Sequence, residues 1–168
     1  MEESVSKILS YIVFTLSIVA GVMLLLMRVD NTRDTAVRNF TTSFVDECRT
    51  TGQITPDNYK ELYTTIYKLG DYTITLEHEQ KVTYPNPDGT IRTEWTTVNS
   101  NDILTAMYGA GISDQLDYSM DTGDRFTVTV KRNSASISSK MLTWFTGGVT
   151  DQGTIIVKYS GTVGSYGG

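Results

Sequence analysis

The feature that most constrains this chain is an uncharged stretch of twenty residues, 8–27, with the sequence ILSYIVFTLSIVAGVMLLLM. A helix rises about 1.5 Å per residue, so this stretch would be roughly 30 Å long, the hydrocarbon thickness of a bilayer. Apolar side chains cover every side of such a helix, and hydroxyls such as Ser10, Thr15 and Ser17 can bond to the carbonyl four residues earlier. The stretch therefore predicts a membrane-spanning helix rather than a helix buried in a soluble core.

A secretory signal peptide is the closest alternative to a retained membrane helix. Signal peptides have a shorter apolar region, preceded by positive charge and followed by a small-x-small cleavage site. Here Glu2 and Glu3 outweigh Lys7 before the apolar stretch, and the sequence MRVD follows it. We therefore expect the helix to be retained.

Composition excludes several classes of function. The 168 residues carry a formal charge of −5 without a basic cluster, which argues against a nucleic-acid partner. Cys48 and His78 are each the single residue of their type, so neither a disulfide framework nor a histidine-rich metal site is expected. Phosphate-binding, dinucleotide-binding and nucleophile-elbow motifs are absent from the sequence. We expect no enzymatic activity, no cofactor and no small-molecule substrate.

The helix is predicted to continue beyond the apolar stretch and to become amphipathic. No Pro or Gly occurs in residues 29–51, and Val37, Phe40, Phe44 and Cys48 recur at spacings of three and four, which defines one helical face. We expect that face to pack on the rest of the domain and the helix to end at Gly52. The domain boundaries are thus 1–51 for the helix and 52–168 for a globular domain.

The globular domain is predicted to be α+β. Thr55 and Pro56 begin a second helix that ends at Gly70, a brief helix follows Ser100, and a short helix or wide loop is expected in residues 136–145. Alternation of apolar and polar residues predicts four strands near 72–79, 91–98, 126–130 and 155–163. The expected fold is a long N-terminal helix with a small antiparallel sheet.

A loop rich in aspartate is the only candidate metal site. Asp114, Asp117, Asp121 and Asp124 supply the carboxylates that calcium prefers, but their spacing fits no EF-hand. A tight turn before a strand has the same composition and is the favoured interpretation, with calcium as the alternative. His78 is expected to be a satisfied or exposed strand residue rather than a catalytic base.

The chain resembles the type IV pilin superfamily, and more closely the pilin-like proteins of tight-adherence systems in Gram-positive bacteria. The resemblance lies in the apolar helix with its uninterrupted extension, in the segment RTTGQITPD at 49–57 and in the segment GDRFTVTVK at 123–131. It implies a structural subunit that is anchored in the membrane and then extracted into an extracellular filament, or fimbria, with cell adhesion as the associated role. Its partner would be other copies of itself.

The resemblance and the apolar stretch together define an expected packing surface. Arg28, Arg33 and Arg38 would by charge alone favour a cytoplasmic C-terminal side, whereas the Thr-rich β domain and the resemblance favour an extracellular one. We expect the extracellular orientation. The alternative function is a monomeric, membrane-anchored extracytoplasmic binding or sensor domain. The residues expected to contact lipid, and then neighbouring helices, are Leu9, Ile12, Val13, Phe14, Leu16, Val19, Gly21, Leu24 and Leu25.

Overall fold

The computed structural model describes residues 2–109, 115–148 and 154–164. Its elements in chain order are α1 (Glu2–Thr51), β1 (Gln53–Ile54), α2 (Pro56–Leu69), β2 (Tyr72–Pro85), β3 (Ile91–Asn99), α3 (Ser100–Tyr108), β4 (Tyr118–Ser119), β5 (Arg125–Arg132), α4 (Ile137–Thr146) and β6 (Ile155–Thr162). They form two compact units, one of Met1–Thr35 with Ala135–Gln152 and the other of Ala36–Ser134 with Gly153–Gly168. The fold is the α+β arrangement that the sequence predicts.

Helix α1 is continuous from Glu2 to Thr51, which confirms that the apolar stretch and its amphipathic extension form one helix. It ends where Gly52 adopts a φ of 69° and donates its N–H to the Cys48 carbonyl oxygen at 2.9 Å. A left-handed residue at this position is what glycine tolerates best, so the predicted stop is confirmed. Among the described residues, α1 is the one helix long and apolar enough to cross a membrane.

The second unit is built on a four-stranded antiparallel sheet in the order β3-β2-β5-β6. β2 and β3 form a hairpin whose turn is closed by the Asn86 N–H on the Thr90 carbonyl at 2.8 Å and by the Thr90 N–H on the Asp88 carboxylate at 2.9 Å. The four predicted strands are confirmed. β2 extends six residues further than expected, to Pro85, because it pairs with the full length of β3.

A two-stranded sheet that the sequence did not predict joins β1 to β4, with Gln53 opposite Ser119 and Ile54 opposite Tyr118. Each strand has only two residues, which is too short for a period-two pattern to appear. This pairing brings the loop before β5 next to the end of α1. It thereby places Tyr118 beside the sheet.

The core of the second unit lies between the sheet and the helical segments. Phe44 of α1 packs edge-on against Phe126 of β5, with ring centroids 6.2 Å apart. Tyr63 of α2 is half exposed and stacks with Tyr67, with ring centroids 6.0 Å apart. The fully buried large side chains are Phe126, Ile54, Ile66, Leu76, Ile103, Met107, His78, Val37, Val45, Val128, Val130 and Val163.

In the first unit, the segment predicted as a short helix or wide loop is the helix α4. The Ser136 hydroxyl accepts the Ser139 N–H at 3.1 Å and so caps its start. Gly147, with a φ of 64°, ends it by donating its N–H to the Thr143 carbonyl at 2.8 Å. Both ends of this short helix therefore have local hydrogen-bond partners.

Candidate functional site

The apolar stretch of α1 forms a continuous exposed surface on a single helix. Its large side chains are more than two-fifths exposed, apart from Val19, Met23 and Leu26, which are partly buried. The hydroxyls of Thr15 and Ser17 donate to the Tyr11 and Val13 carbonyls, each at 2.8 Å. Every predicted packing residue except Val19 is exposed in the isolated chain: Leu9, Ile12, Val13, Phe14, Leu16, Gly21, Leu24 and Leu25.

Such a surface favours an apolar environment, since nearly all of its side chains are apolar and the Thr15 and Ser17 hydroxyls are already bonded within the helix. Near the middle of the stretch, Ala20 and Gly21 have the smallest side chains, so the helix is narrowest there. A Cβ atom placed on Gly21 would meet no heavy atom within 4 Å. The backbone is therefore accessible there to a neighbouring helix, as small residues permit in lipid.

The amphipathic part of α1 is in a different environment, because it packs into the core of the second unit. Val37, Phe44 and Cys48 are buried there, as the spacing indicated. Burial raises the pKa of the Cys48 thiol to about 12, with a smaller contribution from the neighbouring Glu47 carboxylate. This cysteine is a core residue in its neutral form.

Phe40 departs from the expected packing face, because its side chain is 46% exposed. It lines a groove of about 100 Å³ between α1 and α2, whose floor includes Phe44 and Leu62. The Asn58 amide donates to the Glu47 carboxylate at 2.8 Å and closes one side. The remaining lining residues are Ser43, Glu61 and Thr65. The groove combines an apolar floor with acidic side chains at its edge.

The aspartate-rich loop does not form a carboxylate cluster in the part of the chain that the structure describes. Asp114 lies outside the described residues, Asp117 and Asp121 are exposed, and Asp124 is buried. The described residues contain no group of three or more His, Cys, Asp or Glu positioned for a metal ion. The Asp124 N–H donates to the Asp121 carbonyl at 3.1 Å, which confirms the tight turn before β5.

Asp124 instead forms the centre of a buried polar network with His78. His78 is fully buried, and its Nε2 lies 2.8 Å from Asp124 Oδ2. The backbone N–H groups of Lys81 and Asp121 each donate to the same carboxylate at 3.0 Å. The other ring nitrogen, Nδ1, lies 2.8 Å from the Tyr118 hydroxyl. Each ring nitrogen thus has a partner.

The electrostatics of the network indicate the direction of these bonds. Burial raises the pKa of Asp124, but the hydrogen bonds from Lys81, His78 and Asp121 outweigh it, and the pKa lies below the ordinary value. The pKa of Tyr118 is raised, mainly by burial and to a smaller extent by the Asp124 charge. Tyr118 therefore keeps its proton, and the ionised Asp124 carboxylate accepts a hydrogen bond from Nε2–H of His78. The arrangement fastens the turn at 121–124 to strand β2.

No local sequence pattern indicates this network, because His78 is 40 residues from Tyr118 and 46 residues from Asp124. Only the pairing of β2 with β5 and of β1 with β4 brings the three side chains together. A comparison of the chain with models of protein families, with curated proteins and with solved structures found no match. The apolar surface of α1 is therefore the main structural indication of function.

Proposed function

We propose that the chain is a structural subunit of an extracellular filament of the type IV pilus kind, assembled through the apolar part of α1. One observation carries the proposal: residues 8–27 are apolar around the helix and exposed except for Val19, Met23 and Leu26, while the same helix continues into the core of a folded domain. A bilayer and a bundle of identical helices are the two environments that satisfy such a surface. A pilin-like subunit uses both in turn.

In the first state, α1 anchors the monomer in the cell membrane with the β domain on the extracellular side. In the second, the helix leaves the lipid and packs against copies of itself in the filament core. Ala20 and Gly21 support the second state, because they permit close approach of a neighbouring backbone. The partners are thus lipid before assembly and other copies of the chain after it.

The substitution Gly21→Arg tests the filament proposal. A charge near the centre of a membrane helix costs about 2.5–3.5 kcal/mol, and in a helical core the unpaired charge recurs in every subunit. We expect Gly21→Arg to abolish filaments, whereas Gly21→Ala, which finds open space around its Cβ, assembles like the wild type. Filament yield is measured by electron microscopy of sheared surface material, and folding of the β domain by near-UV circular dichroism.

Two results would count against the filament. Purified wild-type protein that stays monomeric under all conditions would favour a monomeric membrane-anchored binding or sensor domain. If Gly21→Arg gave the same filament yield as the wild type, this part of α1 would lie outside the assembled core.

The expected orientation has its own test. A cysteine introduced at Thr90, in the exposed β2–β3 turn, should react with an impermeant thiol reagent on intact cells. The natural Cys48 gives little background, since it is buried and its pKa is raised to about 12. Protection at Thr90→Cys together with labelling of Ser4→Cys would reverse the proposed topology.

A further inference from the structure

One face of the apolar stretch is partly buried. Between residues 3 and 29, all described residues are exposed except Val19, Met23 and Leu26, which are partly buried. Spacings of four and three place these residues on one helical face, and a further four residues lead to Asp30, which is only 7% exposed. The other segment of this unit is Ala135–Gln152, which contains α4.

A hydrogen bond fixes the start of α4 at the end of the apolar stretch. The Asp30 Oδ2 accepts the backbone N–H of Ser138, in the first turn of α4, at 2.9 Å. A carboxylate is favoured at this position because the first turn of a helix presents unpaired N–H groups and a partial positive charge. Asp30 follows Met27 by three residues, so α4 begins about 5 Å along the helix axis from the last apolar residue.

Helix α4 exposes apolar side chains at this level. Ile137, Leu142 and Phe145 are each more than two-fifths exposed, and Trp144 is 80% exposed. The Trp144 and Phe145 rings contact each other edge to face, with centroids 4.7 Å apart. Lys140 is the single charged side chain of the helix. Such a surface is poorly suited to water.

Several polar groups of α4 have hydrogen-bond partners, which lowers the cost of a less polar environment. Besides the two end caps described above, the Lys140 N–H donates to the Ser136 carbonyl at 2.9 Å. The Thr146 hydroxyl donates to the Leu142 carbonyl at 2.9 Å. These bonds reduce the number of donors that would be left unpaired if the helix left bulk water.

We propose that α4 is an interfacial helix that lies in the headgroup region of the leaflet containing the C-terminal end of the apolar stretch. In this position, Trp144 and Phe145 contact the lipid acyl chains, and Lys140 extends to the phosphates. Tryptophan favours this zone because its ring is apolar and its N–H needs a polar partner. The inference rests on the membrane-anchored state of the proposed function and is independent of filament assembly.

Tryptophan fluorescence of the full-length protein in phosphatidylcholine vesicles tests this placement. Trp95→Phe leaves Trp144 as the single tryptophan, and Trp144→Phe leaves Trp95 of β3 as the comparison. Vesicles contain lipids brominated either near the headgroup or near the terminal methyl. We expect Trp144 to lose intensity mainly with shallow bromines and to resist iodide in water. Trp95, which is half exposed beside Arg125, should be quenched by iodide instead.

A third variant separates this inference from its premise. Phe14→Trp, made with Trp95→Phe and Trp144→Phe, reports on α1 and should be quenched by deep bromines. Quenching of Phe14→Trp without lipid quenching of Trp144 would overturn the interfacial helix and leave the membrane anchor intact. If neither is quenched by lipid, the anchor itself fails and the α4 inference fails with it. A Trp144 signal insensitive to bromolipid but dependent on the protein-to-lipid ratio would assign the α4 surface to a second copy of the chain and overturn the lipid contact.

Discussion

Replacing Asp124 by alanine is the most direct test of what the buried network contributes to stability. The substitution removes the acceptor of three hydrogen bonds, from His78 Nε2, the Lys81 N–H and the Asp121 N–H, at 2.8, 3.0 and 3.0 Å. Asp124 is only 3% exposed and His78 is fully buried. Water therefore has poor access to replace the lost carboxylate.

The expected loss follows from the number and kind of unpaired groups. Each buried donor left unsatisfied costs about 1–3 kcal/mol, and three donors lose their acceptor here. Since relaxation recovers part of the sum, we expect Asp124→Ala to lower the free energy of unfolding by about 3–5 kcal/mol. For a domain of this size, the melting temperature should fall by roughly 10–20 °C.

The assay is thermal unfolding of the full-length protein in a mild detergent, followed by near-UV circular dichroism. Asp121→Ala is the matched control, because Asp121 has the same chemistry in the same turn but an exposed side chain. Its free energy of unfolding should change by less than about 0.5 kcal/mol. Equal melting temperatures for the two variants would refute the stabilising role of the network.

The same network predicts the direction of a pH effect. The pKa of Asp124 is lower in the folded protein than in the unfolded chain, so its contribution is fully present above the ordinary aspartate pKa, about 4. That contribution is lost as the pH falls through the lower, folded-state pKa of Asp124. The stability difference between the wild type and Asp124→Asn should therefore shrink below about pH 4. A difference that stays constant down to pH 2 would contradict the lowered pKa of Asp124.

Two further predictions concern the end of α1. Cys48 should resist iodoacetamide at pH 8 in the folded protein and react fully in denaturant, because burial raises its pKa to about 12. Labelling is measured by mass spectrometry, and rapid labelling of the folded protein would place Cys48 outside the core. Gly161→Ala should destabilise the protein by about 0.5–1.5 kcal/mol, because its Cβ would displace the Arg49 guanidinium, which donates to the Thr162 carbonyl at 2.9 Å. Gly164→Ala, whose Cβ would make only an ordinary contact, is the control in chemical denaturation, and equal midpoints would refute the role of Arg49.

The helices and the main strands could be predicted from the sequence because their signals are local. Each of these signals lies within one element: the uncharged run of twenty residues, the spacing of Val37, Phe44 and Cys48, and the alternation around Ile74. Helix ends were equally local, since the Thr55 cap and the glycine at 52 act on neighbouring backbone groups. Such features require no knowledge of the partner segment.

The tertiary structure alone decided which polar side chains meet. Asp124 was grouped in sequence with the other aspartates of its loop, yet it bonds to His78 on another strand. Asp30 follows an apolar helix in sequence, yet it caps a helix more than a hundred residues later. Phe40 shares a face with Val37 by spacing, but it remains half exposed beside α2. Periodicity along one element specifies which face is apolar, whereas these contacts depend on strand pairing and helix placement, which bring together residues far apart in the chain.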